Sequence, residues 1–484
     1  MDPCAARPAL LDFHGFRGRP VAPMQDDPAG APLGRVGLYR LREPMDRTEL
    51  VSSPGGGDRT EIVDLRPGVG RPGQVGAPSV ALDCLAGHRY ALSTSSSREH
   101  FLVQIRAAET QASRRMPLNL CLLIDRSGSM DGEPLDYVKR ACGYVVDLLE
   151  PTDILSIVTF ETQVDVLMPA RRVVNRPLVK EHINRIEPGN TTNLYDGLVT
   201  AYRQAESAVS PAYLNRVLLL SDGDPTAGIR DFSTIVARVA EARGKSIATT
   251  ALGFGPDYNE ELMAGIARRS GGNYYFVDRP DRIPDVFRRE LDQMMMVMAQ
   301  DLRLRLRLSK WVQLRQVYGL QPRFVDRAAE VTLVDLDRGG TVNVLVEVEM
   351  GPRPAGVYRV FQAELNYRTD APQAALADAV SEFTPDRARV EASVNAAVQA
   401  EIAVAQAARN LERTMMGVRT QQINIAAAAG ELQRTQQLLT QAGRAGEANE
   451  LGQAISALGQ RDQNTAEKTI IGTIYNLDLG RRKS

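Results

Sequence analysis

Asp125, Ser127 and Ser129 stand two residues apart in the string DRSGS, directly after the apolar run LNLCLLI at 118–124. A carboxylate and two hydroxyls that emerge together where a buried strand ends are oxygen ligands for a hard divalent cation. Ser and Gly after a strand also make an ordinary turn, so this string needs companions to carry meaning. Two segments supply them. GNTTNL at 189–194 places Thr192 ahead of a helical pattern, and the apolar run VLLL at 217–220 leads through Ser221 to a second strand-end carboxylate, Asp222. Asp, Ser and Thr oxygens suit Mg²⁺ or Mn²⁺, whereas softer metals call for Cys or His.

The elements that must position these residues follow from hydrophobic periodicity. From 116 to 298 the chain alternates strands and helices, which predicts an α/β doubly wound (Rossmann-like) domain. Strands fit at 117–125, 153–160, 163–168, 214–222, 246–252 and 273–278, and helical spacing fits 134–149, 177–186, 194–208, 229–243, 258–269 and 280–298. The runs ending in Asp125 and Asp222 are continuously apolar, as expected of central strands covered on both faces. In an open parallel sheet, ligands bind at the carboxyl ends of the strands, which is where both carboxylates fall.

On either side the period is two. Strand-like alternation at 79–115 is too short to enclose a core, and a second set of strands fills 299–370, where Leu302, Leu304, Leu306 and Leu308 alternate with Arg303, Arg305 and Arg307. The arginines read as the solvated face of a half-buried strand. We expect the two sets to pair into one β-sandwich in which the α/β domain is inserted, because domain termini usually lie close together. A linker is expected at 371–384, an α-helical bundle or hairpin of two long helices with one or two shorter ones at 385–470, and a tail at 471–484. Residues 1–78 are rich in Pro, Gly, Arg and Asp and are expected to be flexible or to order only on a partner.

In chain order and topological place, the segments DRSGS, TTNL and SDG resemble the metal-ion-dependent adhesion site of von Willebrand factor type A domains, of a bacterial intracellular type. GFG at 253–255 and GGNYYF at 271–276 extend the likeness to the closing half of the domain. The resemblance implies that Ser127, Ser129 and Thr192 coordinate the cation directly in the ligand-bound state, with Asp125 and Asp222 acting directly or through water. Thr191 is the alternative to Thr192, and the Thr-Asn-Leu order favours Thr192. Asp131 and Asp224 lie nearby and read as turn or helix-start acids. The remaining coordination position is expected to take an Asp or Glu of a protein partner. The likeness therefore implies a cation-dependent interaction module or adaptor in a multi-component assembly, and makes an AAA+ ATPase of the MoxR type a plausible partner class. A self-associating structural or adhesive protein is the alternative, and a metal-dependent hydrolase a remote one.

Bulk properties narrow the classes further. A chain of 484 residues, 43% hydrophobic and 24% charged, can build two or three domains with real cores. A net charge of -1 offers no global attraction for nucleic acid or an anionic membrane. The N-terminal sequence lacks a signal-peptide pattern and no apolar run is long enough to span a bilayer, so a cytoplasmic protein is expected. Cys4, Cys84, Cys121 and Cys142 are scattered, and His14, His88, His100 and His182 fall in four unrelated segments without metal spacing or a neighbouring nucleophile motif. No phosphate-binding glycine loop of the usual patterns is present, and neither a positioned base nor a phosphate clamp accompanies the carboxylates, so no enzymatic activity is expected.

Overall fold

In the computed structural model, residues 80–108, 115–222, 224–255, 258–325, 328–369 and 371–481 are described, and the region 1–78 lies outside them. The described chain opens with three strands, β1 (Val80–Ala86), β2 (Tyr90–Leu92) and β3 (Ser97–Ala107). The alternating region follows as β4 (Leu118–Asp125), α1 (Glu133–Leu148), β5 (Ile154–Phe160), β6 (Val164–Arg172), α2 (Arg176–Asn184), α3 (Leu194–Ser207), β7 (Leu214–Ser221), α4 (Phe232–Gly244), β8 (Ile247–Phe254), α5 (Glu260–Ser270), β9 (Tyr274–Val277) and α6 (Ile283–Met296). Then come β10 (Val297–Leu308), β11 (Val312–Val317), β12 (Arg323–Val325), β13 (Ala328–Thr332), β14 (Leu336–Asp337), β15 (Thr341–Met350), β16 (Gly356–Arg368) and β17 (Pro372–Thr384). Five helices close the chain: α7 (Arg387–Glu391), α8 (Ala396–Arg419), α9 (Ile425–Gln441), α10 (Ala445–Gly459) and α11 (Gln463–Asp478).

The α/β region forms a six-stranded sheet in the order β6-β5-β4-β7-β8-β9. Every residue of β4, β7 and β8 is buried, because helices cover both faces. Leu120, Leu122 and Ile124 of β4 pack with α1, α2 and α6, while Cys121 and Leu123 point to the opposite layer of α3, α4 and α5. The sheet is mixed: β6 runs antiparallel to β5. Only Glu161, Thr162 and Gln163 separate these two strands, too few for a parallel crossover, so a hairpin is forced.

The flanking strands build an antiparallel sheet, β1-β3-β15-β11, and a second, β12-β13-β10-β16-β17-β2, that is antiparallel except where β2 joins β17 in parallel. They face each other across one core that includes Phe101, Val103 and Ile105 of β3 and Leu304, Leu306, Phe361 and Ala363 of the opposite sheet. Phe101 and Phe361 meet edge to face at 5.3 Å. The leucines of β10 point inward, and Arg307 pairs with Glu364 on the outer face. The α/β region enters from β3 and returns with no connecting loop, since α6 ends at Met296 and β10 begins at Val297.

Two boundaries differ from the sequence reading. Residues 372–384, expected as a linker, form β17, which pairs along its length with β16. Its alanine-rich sequence carries little intrinsic strand preference, and partner pairing supplies what propensity lacks. The expected tail at 471–484 begins inside α11, so the helical region holds four substantial helices and the short α7. Thr469, Ile470, Ile471, Thr473 and Ile474 are poor helix formers, and burial on two sides overrides that preference. Ile470, Ile474 and Leu477 join the helical core, while Tyr475 enters the core of the α/β region, its hydroxyl donating to Gly272 O at 2.5 Å.

Charge also ties these parts together. Asp335, between β13 and β14, is fully buried; burial pushes its carboxyl up, but the Arg216, Arg243 and Arg481 guanidinia outweigh that and hold it below the usual carboxylate range. Arg216 lies on β7, Arg243 on α4 and Arg481 beyond α11, so one carboxylate joins three regions.

Since α11 completes a core that is not its own, Tyr475→Ala is expected to cost about 3–5 kcal/mol of unfolding free energy in urea titrations, and Tyr475→Phe about 1 kcal/mol. A loss below about 1 kcal/mol for the alanine variant would show the helix to be peripheral.

Candidate metal centre

The parallel register sets the carboxyl ends of β4 and β7 side by side, with Ile124 opposite Leu220. Asp125 therefore stands level with Ser221, whose hydroxyl donates to Asp125 Oδ2 at 2.6 Å. Asp125 Oδ1 accepts the Ser127 N–H at 2.9 Å. Ser129 Oγ donates to Asp222 Oδ1 at 2.8 Å and lies 3.2 Å from Ser127 Oγ. These contacts bring four of the five expected ligands, Asp125, Ser127, Ser129 and Asp222, into one hydrogen-bonded cluster. Ser129 faces solvent, while Asp125 is fully enclosed.

Thr192, the fifth, sits in the adjoining loop and is buried. Gly128 N–H donates to Asn190 O at 3.1 Å and Gly189 N–H to Arg126 O at 2.6 Å, which locks the DRSGS turn to this loop. The loop after β7 holds Thr192 from the other side: its N–H donates to Thr226 Oγ1 at 2.8 Å, and its carbonyl accepts the Thr226 and Ala227 N–H groups. Asn193, not Thr192, caps α3 by accepting the Asp196 N–H. Thr191 turns away and donates to Thr162 Oγ1. Asp131 and Asp224 are exposed.

Ser221, Thr226, Arg126 and Glu161 complete the arrangement and were not singled out from the sequence. Their only signal is a polar residue at a strand end or in the turn beyond it. The Arg126 guanidinium lies 3.4 Å from Glu161 and 3.0 Å from Asp165. Glu161 is buried, which would raise its pKa, but hydrogen bonds from Thr162, Gln163 and Asn190 hold it down at about 2. For Asp125 the balance is reversed. Burial, with a smaller push from Asp222, outweighs the Ser221 and Ser127 hydrogen bonds and moves its carboxyl up to about 7.

The donor set fits a small hard cation. Oxygens held at Mg²⁺ distances in an octahedron are about 2.9 Å from their neighbours, and the Ser127, Ser129 and Asp222 oxygens are already spaced at 3.2 and 2.8 Å. Among the described residues no three His, Cys, Asp or Glu side chains gather as metal ligands elsewhere. His88 pairs with Glu99, and His100 lies 3.2 Å from Tyr318 Oη.

Comparison with known proteins bears on the same region. Residues 119–289 match the family model of the von Willebrand factor type A domain. The chain is 27% identical over 282 residues to the uncharacterized protein sll0103 of Synechocystis, covering 56% of this chain and 66% of that one. It is 27% identical over 288 residues to the uncharacterized protein YfbK of Escherichia coli, covering 57% and 50%. Human inter-alpha-trypsin inhibitor heavy chain H4 is 28% identical over 169 residues, 32% of this chain and 18% of that one. The chain thus spans only part of each of these relatives. Among solved structures, a von Willebrand factor type A protein from Catenulispora acidiphila superposes with a TM-score of 0.65 over 77% of this chain and 89% of that one at 18% identity. The ArnB paralog VWA2 from Sulfolobus acidocaldarius does so with a TM-score of 0.58 over 83% and 98%, also at 18% identity. Residues 119–289 form a von Willebrand factor type A domain, a common protein-interaction module.

A carboxyl whose folded pKa lies above its unfolded one favours the folded state while protonated, and that advantage is lost as pH rises through the folded value. In EDTA, stability is therefore expected to fall between about pH 4 and 7 through Asp125. Asp125→Asn flattens this slope in urea titrations across that range. An unchanged slope would assign the effect to other groups.

Proposed function

We propose that the chain is a cation-dependent protein-interaction module in which Asp125, Ser127, Ser129, Thr192 and Asp222 hold Mg²⁺ or Mn²⁺ and an Asp or Glu of a protein partner completes the coordination. The observation that carries this reading is the cluster itself: two carboxylates and two hydroxyls in hydrogen-bond contact at the sheet rim, with Thr192 in the loop locked to them. Two acidic groups and three hydroxyls leave a six-coordinate cation short of ligands, so solvent or an external carboxylate fills the remainder. The cation would supply a positive centre that recognises a carboxylate.

The chain's own residues prepare that event. Ser221 and the Ser127 N–H fix both oxygens of Asp125, Thr226 fixes the backbone of Thr192, and exposed Ser129 marks where a partner approaches. Among the described residues no His, Lys or further carboxylate is hydrogen-bonded to the cluster, which favours binding over hydrolysis. By resemblance to bacterial proteins of this type, an AAA+ ATPase of the MoxR class is the partner class to test first, within a multi-component cytoplasmic assembly. No helix among the described residues is long and apolar enough to cross a membrane.

Isothermal titration with Mg²⁺ and Mn²⁺ is expected to show one saturable site that Asp222→Ala abolishes. Partner protein retained from host extract in Mg²⁺ is expected to elute in EDTA and to be missed by the Asp125→Ala chain. Retention unchanged by both EDTA and Asp125→Ala would overturn the reading in favour of self-association through other surfaces.

A further inference from the structure

We infer that Glu161 is a positioning residue of the cation site, neutralising Arg126 and setting the separation between the DRSGS turn and the Thr192 loop; this rests on the metal-binding reading above. Arg126 lies in the turn between two proposed ligands, Asp125 and Ser127, so the cation-binding turn itself carries a positive charge. Left alone it would oppose binding. Glu161 and Asp165 draw it aside, Glu161 from a buried position and Asp165 from an exposed one. Asp165 makes the shorter contact, while the enclosed Glu161 carboxylate is the less screened by solvent.

The same carboxylate sits where three loops meet. Glu161 Oε1 accepts the Gln163 N–H at 3.1 Å and Oε2 accepts the Thr162 N–H, which fixes its own turn. The Asn190 N–H also stabilises it, and the Glu161 carbonyl accepts the Asn193 N–H at 2.9 Å. Asn190 and Asn193 bracket Thr192, so Glu161 grips that residue's loop at two points. Gly189 packs directly on its stem: a Cβ there would lie 2.6 Å from Glu161 Cγ, so only glycine lets the loop approach this closely. The Arg126 N–H accordingly donates to Phe160 O at 2.9 Å, one residue before Glu161. Removal of the Glu161 carboxylate therefore leaves Arg126 with Asp165 as its remaining acidic partner and loosens the spacing of Thr192 from Ser127 and Ser129. It touches no proposed ligand directly.

Mn²⁺ titration of the full chain, read by electron paramagnetic resonance of the free ion, tests this. Supporting partners of metal ligands typically govern about 10–100-fold in affinity, and a loss of that size is expected for Glu161→Gln. The double variant Arg126→Gln with Glu161→Gln is expected to regain most of the loss, because the unneutralised cation has gone. Val239→Ala, a buried change on α4, controls for general destabilisation and is expected to bind Mn²⁺ as the wild type does. Thermal unfolding in EDTA establishes that each variant is folded. Wild-type affinity in Glu161→Gln overturns the inference and leaves the metal site standing, and so does a double variant no better than the single. Failure of the wild-type chain to bind Mn²⁺, or equal binding by Asp222→Ala, overturns the metal reading itself.

Discussion

Asp125 is a carboxylate with no solvent exposure, placed at the end of the central strand β4. Removing a charge from water costs several kcal/mol unless hydrogen bonds or an opposite charge replace the lost solvation. The chain offers two donors, the Ser221 hydroxyl and the Ser127 N–H, and adds a second carboxylate nearby in Asp222. That compensation is incomplete, which is why the carboxyl is pushed toward neutrality. The protein's own groups offset that burial only in part, and the cation proposed above would supply the missing counter-charge. Each surrounding feature follows from keeping this group buried, ionisable and within reach of the rim.

Sheet topology solves most of that problem. Parallel strands must leave the sheet and return through a helix, so every crossover deposits a loop at the same edge. The turn after β4, the loop before α3 and the turn after β7 come from distant parts of the sequence and meet there. Beyond the bonds within each, every one shares hydrogen bonds with another loop: Gly128 with Asn190, Gly189 with Arg126, Thr226 with Thr192 and Asn193 with Glu161. A displacement of one loop is therefore felt by all three, and this makes a residue such as Glu161 influential without touching a ligand.

What could be read from the sequence divides along the same physical line. Burial on both faces gives β4 and β7 uninterrupted apolar runs, so their ends, and the carboxylates at those ends, were legible from residues in one local window. Ser127 and Ser129 came with Asp125 by spacing. Ser221, Thr226, Arg126 and Glu161 were not legible, because their meaning lies in partners roughly thirty to one hundred positions away and a lone polar residue in a turn looks the same with or without one. The antiparallel course of β6 was legible in principle, since its three-residue connection admits nothing else. β17 and α11 were misread for one shared reason. Their sequences have weak or contrary propensities, and contacts with β16 and with two separate cores decide their conformation.

The mounting of the α/β domain explains why the rim is available for binding. Helices run opposite to the strands they follow, so the chain enters at the start of β4 and leaves at the end of α6 on the same, amino edge of the sheet. The contacts with the two flanking sheets cluster there: Gln300 with Tyr213 O at 3.4 Å, Ser246 with Asp301 at 2.8 Å and Arg216 with Asp335. Tyr213 precedes β7, Ser246 precedes β8, and Arg216 is the third residue of β7. Eight extended residues separate that edge from Asp222, roughly 25 Å at the usual strand rise. The scaffold thus grips the end of the domain opposite to the proposed cation site. The exceptions come from the helical region: Arg419 of α8 pairs with Glu260 and Glu261 at the start of α5, and Lys468 of α11 lies 3.4 Å from Tyr258 O and 3.5 Å from Gly255 O in the loop after β8, beside the strand that leads to Asp222. A lysine buried there and stacked 4.1 Å above the Tyr258 ring restrains the rim from the flank while leaving Ser129 open to solvent. Support from below and from one side, with Ser129 exposed to solvent, suits the docking role proposed for the rim.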